Sequence, residues 1–210
     1  MNYLLLSILL GFSVNTEFSG NTSPAVEVVT ITVNSFDQSS VDEFRRLMAK
    51  ATLSGQPIIP IVIDSNGGSV YGLFAMIDII QSSKVPVATI IEGAGFSAGA
   101  VLFSFGTKGY RYIAKHGTIM VHEVSSGAGG KVPDMRSDTN EAERLDRIVL
   151  EELAKNCGKP ANFFRDEINK RGRADWYIDP KQAVEIGLAD HIGIPTLKIK
   201  FNVTSELVNE

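Results

Sequence analysis

The chain reads as an α/β protein built on a largely parallel sheet, and three observations carry that expectation. Ile58–Ile63 and Val85–Ile91 are nearly continuous apolar, β-branched runs rather than alternating ones, as strands covered on both faces require. Each run leads into a turn of small residues and then into a segment with helical apolar spacing. The order up to His122 is strand, helix, strand, turn, helix, strand, turn, helix, strand, the alternation that supplies crossovers to a parallel sheet.

Taken in order, Leu4–Leu10 has the length of a signal-peptide apolar region and is too short to span a bilayer. No Lys or Arg precedes it and no A-x-A site follows, so an apolar N-terminal arm packed on its own domain or on a neighbouring subunit is expected, with export as the minority alternative. Residues 11–25 are small and polar and read as a loop or linker. Val26–Val33 reads as a strand. Ser39 or Ser40 can cap a helix running to about Leu53, with Val41, Phe44, Leu47, Met48 and Ala51 as its apolar stripe. Pro60, inside the following run, argues for an edge position or a bulge.

Asp64–Ser69 is a glycine turn opening a helix with Leu73, Ala75, Met76, Ile79 and Ile80 inward, and strand 85–91, the turn at Ser97 and the helix Ala98–Phe105 repeat the design. Short strands follow at Arg111–Ala114 and Thr118–Val121. Residues 125–131 form a loop that fails as a phosphate loop, because Ser125 holds the first glycine position and Val132 follows Lys131. Met135–Asn156 is a long charged helix whose thin stripe (Leu145, Ile148, Val149, Leu153) calls for completion by a partner subunit. A second helix runs to about Asn169, a short one covers Pro180–Gly187, and Thr196–Val203 reads as a final strand. Beyond the strand–helix units there is no repeat.

Composition narrows the function classes. At 210 residues, 44% hydrophobic and 21% charged, the chain can bury one sizeable core. A net charge of −4 with scattered basic residues leaves no electrostatic footprint for nucleic acid. The single cysteine, Cys157, excludes an intramolecular disulfide and fits a reducing, cytoplasmic compartment; it reads as a packed small hydrophobe. Trp176 reads as core or interface, and His116 and His191 show no catalytic partner.

The chemistry gathers at Gly93–Ala100. Ser97, between a strand and a helix and flanked by small residues, is either an ordinary helix N-cap or a nucleophile on a tight turn beside free N–H groups. His122 ends a β-branched strand and can act as general base. Asp175, beside Trp176, can hold the imidazole tautomer and stabilise its cation. The backbone N–H groups of Gly68 and Ala98 lie on turns at one edge of the expected sheet and can face a developing oxyanion.

Asn66-Gly67-Gly68-Ser69, Gly93-x-Gly-Phe-Ser97-Ala98-Gly99, Met120-Val121-His122 and Asp175-Trp-Tyr-Ile-Asp-Pro-x-x-Ala183-x-x-x-Gly187-Leu188-x-Asp190 together resemble ClpP, the Clp protease proteolytic subunit family, over Val28–Ile192. The resemblance implies a crotonase-like superhelix of strand–strand–helix units with a protruding handle helix at about 135–157. It implies a serine endopeptidase domain over 26–195, an N-terminal arm or axial segment over 1–25 and a tail over 196–210. Ser97 is similar to the family's nucleophile, His122 to its base, Asp175 to its orienting acid, and Gly68 and Ala98 to its oxyanion hole. Unfolded proteins or peptides as substrates, stacked heptameric rings and a separate ATP-driven AAA+ unfoldase are implied, with no nucleotide, other cofactor or metal on the peptidase itself and no nucleic-acid or membrane partner.

The sequence departs from the family at Ser65-Asn66-Gly67-Gly68, where Ser-Pro-Gly-Gly is usual, and at His122-Glu123-Val124, where His-Gln-Pro is usual. Glu123 is expected to point away from His122, since adjacent strand residues face opposite sides. Three other readings remain: an α/β-hydrolase using Ser97, Asp175 and His191; a signal-peptide-peptidase-like enzyme using Lys108 or Lys115 as base; and a catalytically silent ring subunit.

Overall fold

The computed structural model describes residues 6–7, 13–17, 28–127 and 129–200. The elements in chain order are β1 (Leu6–Ser7), β2 (Ser13–Glu17), β3 (Ile31–Val33), α1 (Gln38–Leu53), β4 (Ile59–Ser65), α2 (Val70–Ser82), β5 (Val87–Phe96), α3 (Ala98–Ser104), β6 (Arg111–Ile113) and β7 (Thr118–Val121). They continue with α4 (Val132–Asn156), α5 (Phe163–Lys170), β8 (Trp176–Ile178), α6 (Pro180–Glu185), β9 (His191–Ile192) and β10 (Leu197–Lys200).

The main sheet runs β3-β4-β5-β6-β9, all parallel, and β7 also pairs with β5. β5 is the longest strand because it serves two neighbours in succession. Thr89–Ile91 pair with β6, and Ala94–Phe96 pair with β7. The β7–β8 pair, the antiparallel member of this sheet, therefore sits at the C-terminal end of β5, where Ser97 begins. Fully buried side chains from β3, β4, α1, α2, α3 and α5 (Ile31, Ile61, Phe44, Leu73, Phe103, Phe164) form one core. On the opposite face Val62 and Ile90 are covered by Tyr112 and Leu197.

Several expectations are revised. Pro60 lies in the interior strand β4, not at an edge, and the irregularity in β4–β5 pairing falls between Ile63 and Ser65. The reason is local: Ile59 N–H donates to Pro86 on the β5 side, so the imide of Pro60 turns towards β3, and β3 pairs only from Ile61 onward. The cap of α1 is Asp37, which accepts from the N–H of Ser40, rather than Ser39 or Ser40. Ordered pairing in β3 covers only the end of the expected Val26–Val33 strand; Val29 instead gives its N–H and C=O to the side chain of Gln56. Residues 11–25, read as a loop, contain β2, which pairs with β1 antiparallel and with β10 parallel. β8 and β9 were not expected. The rest of the apolar arm, residues 26 and 27 and the tail 201–210 lie outside the described residues.

α4 buries only its C-terminal half. Leu145, Asp146, Val149, Leu150, Leu153 and Ala154 are buried, whereas residues 132–140 are all exposed, Val132 (66%) and Met135 (40%) among them. The helix projects from the body, as a handle does.

Candidate active site

β5 delivers the chain to Ser97 with φ 55° and ψ −118°. An L-residue in so sparse a region costs on the order of 1–3 kcal/mol and persists only where its surroundings enforce it. Here they do: Ser97 N–H donates to Met120 C=O on β7 (2.8 Å), and Ser97 C=O accepts from Ala100 and Val101 (3.0 and 3.2 Å). The hydroxyl makes no capping bond to α3. It lies 2.8 Å from Nε2 of His122 instead. Of the two sequence readings of Ser97, the ordinary N-cap is not realised.

His122 is the residue after β7, with its side chain one-quarter exposed. The antiparallel register sets Val121 opposite Trp176, and one step further along the ladder sets His122 opposite Asp175. Nδ1 of His122 and Oδ1 of Asp175 are 4.0 Å apart, and the Asp175 side chain is 49% exposed. That separation exceeds a hydrogen bond, so the acid stands within reach of the imidazole without yet gripping it.

The Gly67–Gly68 turn packs directly on the serine. Gly67 has φ +98°, and a Cβ there would lie 2.7 Å from Ser97 Cβ and 3.2 Å from Ala98 N. Gly68, Ser97, Ala98 and His122 share the wall of a cavity of about 60 Å³, whose other walls include the apolar side chains Val70, Leu73, Val101 and Val149. Ala98 is the first residue of α3, so its N–H has no intrahelical acceptor. The β4–β5 irregularity that leads into both turns is pinned by Asp64, whose carboxylate accepts from Ala94 N–H at 2.8 Å. Burial, seconded by the charge of Asp64, raises the carboxyl of the neighbouring Glu92 above its usual range.

Glu123 points away from this cavity into a charged network. Arg173 Nε donates to its Oε2 at 2.7 Å, and Nη1 of Arg165 lies 3.7 Å from its Oε1. Arg165 also binds Asp146 (2.7 Å), and Asp146 accepts the N–H of Val124 (2.8 Å). Arg165, Arg173 and Asp146 were not singled out in the sequence. The available signal was Asp146, three and four residues before Val149 and Leu150 and thus on the buried stripe of a charged helix.

The remaining candidates lie elsewhere. His191 stacks on Tyr112 (4.9 Å between centroids) and its Nε2 meets Gly109 C=O, so the order Ser97–Asp175–His191 is not assembled. The hydroxyl of Ser97 has His122 as its partner, not Lys108 or Lys115. Trp176 is core, with Arg171 over its ring at 4.3 Å. Cys157 is buried, and burial pushes its thiol up to about 12. Among the described residues no three His, Cys, Asp or Glu side chains gather as a metal site would need, and no helix is long and apolar enough to cross a membrane.

Comparison with known proteins bears on the same stretch. The family model for Clp protease matches residues 25–195. ATP-dependent Clp protease proteolytic subunit 1 of Prochlorococcus marinus (strain MIT 9312) is 35% identical over 132 residues, covering 63% of this chain and 66% of the relative. The proteolytic subunit 1 of Prochlorococcus marinus subsp. pastoris is 35% identical over 132 residues, or 63% and 65% of the two chains. The proteolytic subunit 2 of Parasynechococcus marenigrum (strain WH8102) is 36% identical over 134 residues, or 64% and 66%. The match spans just under two thirds of the length of each of these relatives.

Proposed function

The chain belongs to the Clp protease family, and on that footing we propose that it is a serine endopeptidase, the proteolytic subunit of an ATP-dependent, compartmentalised Clp-type protease. The observation that carries the proposal is the 2.8 Å contact between Ser97 Oγ and His122 Nε2 on a backbone strained to present it.

In this reading a peptide carbonyl enters between the Gly67–Gly68 turn and α3. Ser97 Oγ attacks as His122 Nε2 takes its proton, and a C–O bond forms while the carbonyl becomes an oxyanion. The N–H groups of Gly68 and Ala98 receive that charge, and a single such donor typically contributes about 3 kcal/mol to the transition state. His122 then returns the proton to the leaving amine, leaving an acyl-Ser97 that water hydrolyses by the same steps in reverse roles. Asp175 approaches Nδ1 as the imidazolium forms, holding the tautomer that leaves Nε2 free to accept.

The rest of the assembly follows from the family reading. Unfolded polypeptide is the substrate, and a separate cytoplasmic AAA+ unfoldase delivers it and consumes the ATP; the peptidase itself takes no cofactor. Residues 26–195 form the peptidase unit, with 1–25 as an arm or axial segment towards the unfoldase. The exposed half of α4, which carries Val132 and Met135, supports stacking of heptameric rings into a tetradecamer.

Incubating the intact particle with a fluorophosphonate and measuring its native mass tests the reading. The expected result is one adduct per chain at Ser97, on a particle of ring mass, absent in Ser97→Ala. An adduct on a monomer would favour an esterase, and no adduct at Ser97 would remove the peptidase reading.

A further inference from the structure

The charged network beside the site joins the two loops that must meet for the proposed relay to close. Glu123 follows His122 directly, and Arg173 precedes Asp175 by two residues. Arg173 takes a left-handed conformation (φ 65°) just after the end of α5, its N–H on Ile168 C=O (3.0 Å) and its Nε on Glu123. That turn breaks the extension of β8 backward, so Arg173 reaches the face occupied by Glu123 rather than continuing on the side of Asp175. Glu123 is held in turn: its side chain is only 22% exposed and lies near Arg165, which Asp146 anchors to α4. The Arg173 side chain is 70% exposed. An ion pair at such a rim adds little to stability, so its effect lies in where it puts the chain.

We propose that the Glu123–Arg173 pair is a positioning pair, tethering the segment 173–175 to the histidine loop so that the Asp175 carboxylate stays opposed to Nδ1 of His122. This inference rests on the peptidase reading of the site and specifies how its orienting acid is kept in place. Asp175 is half exposed and 4.0 Å from the ring, and without the tether it swings into solvent. Among the described residues, the charged groups on this side of His122 are Asp175 from the strand opposite, Glu123 from its own loop, Arg173 from the turn before β8, Arg165 from α5 and Asp146 from α4, with Glu143, Arg144, Arg147 and Glu151 of α4 lining the same cleft beyond Glu123. The cavity walls contributed by α2, α3 and α4 are apolar (Val70, Leu73, Val101, Val149).

Arg173→Gln separates positioning from plain electrostatics because the two act with opposite sign. Removing a cation near an imidazole favours its protonated form, whereas losing Asp175 disfavours it. The full-length particle is assayed for peptide cleavage across pH, and His122 protonation is followed independently by C2-proton exchange and mass spectrometry. The expected result is a roughly 3- to 5-fold fall in kcat, the scale on which an exposed ion pair biases a conformation, with KM unchanged. The acid limb of the rate profile and the exchange midpoint of His122 both move to lower pH, and Arg173→Lys restores most of the activity. An unchanged kcat, or a midpoint that stays or moves to higher pH, would overturn the proposal. A wild-type particle inert to both peptide and fluorophosphonate would instead sink the peptidase reading; the exchange midpoint still decides the positioning role, downward for and otherwise against.

Discussion

Gly67→Ala is the most informative single methyl group that can be added to this protein. The new Cβ would meet Ser97 Cβ at 2.7 Å, Phe96 C=O at 3.0 Å and Ala98 N at 3.2 Å. Carbon pairs rest at roughly 3.5–4.0 Å, so the two turns must part by roughly 1 Å. None of the three neighbours is the yielding end of a long side chain, and the serine is tied to β7 through Met120. The movement therefore falls on the relation between Ser97 and its surroundings, where the Oγ–Nε2 bond has only a few tenths of an ångström to lose. A displacement of that size costs ~100-fold in rate, about 2.7 kcal/mol of activation free energy. Alanine at φ +98° adds roughly 1–2 kcal/mol of backbone strain, which appears as lost stability. The control is Gly109→Ala: Gly109 has φ +90° and nothing within 4 Å of its added Cβ, so it bears the strain without the collision. Second-order labelling by a fluorophosphonate, with thermal unfolding of the same samples, reads both quantities. The expected pattern is destabilisation in both variants, larger in Gly67→Ala by the cost of the collision, and slow labelling only in Gly67→Ala. Wild-type labelling by Gly67→Ala, or an equal loss in Gly109→Ala, would refute the claim that contact between the turns sets the serine.

Two further predictions concern groups away from the chemistry. Burial works to raise the Asp190 carboxyl, but hydrogen bonds from Arg111 and from the N–H of Gly109 outweigh it and hold it below its usual range. A carboxyl lowered in the folded state stabilises above its unfolded value, near 4, and loses that contribution as pH falls through the folded one. With Arg111 left buried and uncompensated, Asp190→Asn is expected to cost about 3–5 kcal/mol in urea unfolding at neutral pH, the gap narrowing on acidification; a gap independent of pH would contradict the assignment. Cys157, with its thiol pushed up to about 12 by burial, should resist a disulfide-exchange reagent at pH 8 in the native protein and react stoichiometrically in urea; fast native labelling would show that the site opens.

What the sequence revealed and what it hid divide along the range of the forces involved. The continuous runs that became β4 and β5 and the helical stripes of α1 and α2 are local signals, and with them came the positions of Ser97 and His122 at strand ends. The cap of α1 was harder because Ser35, Asp37, Ser39 and Ser40 all carry suitable oxygens. Asp37 prevails because one carboxylate can gather the hydroxyls of Ser35 and Ser39 together with the N–H of Ser40, and these bonds hold it far below its usual range. β8 has three residues, too few for a period to register, and exists because the edge of β7 offers it a backbone partner. The Glu123–Arg173 pair joins positions whose spacing carries no motif; only the turn after α5 brings them together.

Ser69 and Ser97 show where local reading stops. Each precedes a helix and has the composition of an N-cap; Ser69 follows the glycine turn after β4, and Ser97 follows β5 directly, with Gly93 and Gly95 in the last residues of that strand. Ser69 behaves as one: at φ −60° and ψ 127° its hydroxyl accepts the N–H of Gly72. Ser97 is driven to φ 55°, and its hydroxyl turns to an imidazole. No difference in propensity accounts for this, since serine favours the cap position in either case. The distinction is that Phe96 pairs with Met120, so that Met120 C=O captures the N–H of Ser97 and β7 carries the strand geometry up to the serine, while the β4–β5 irregularity brings Gly67 beneath it. The same residue type becomes a helix cap or turns its hydroxyl to an imidazole according to whether a distant strand reaches its backbone, and the hydrogen bond from Ser97 to Met120 is the contact through which it does so.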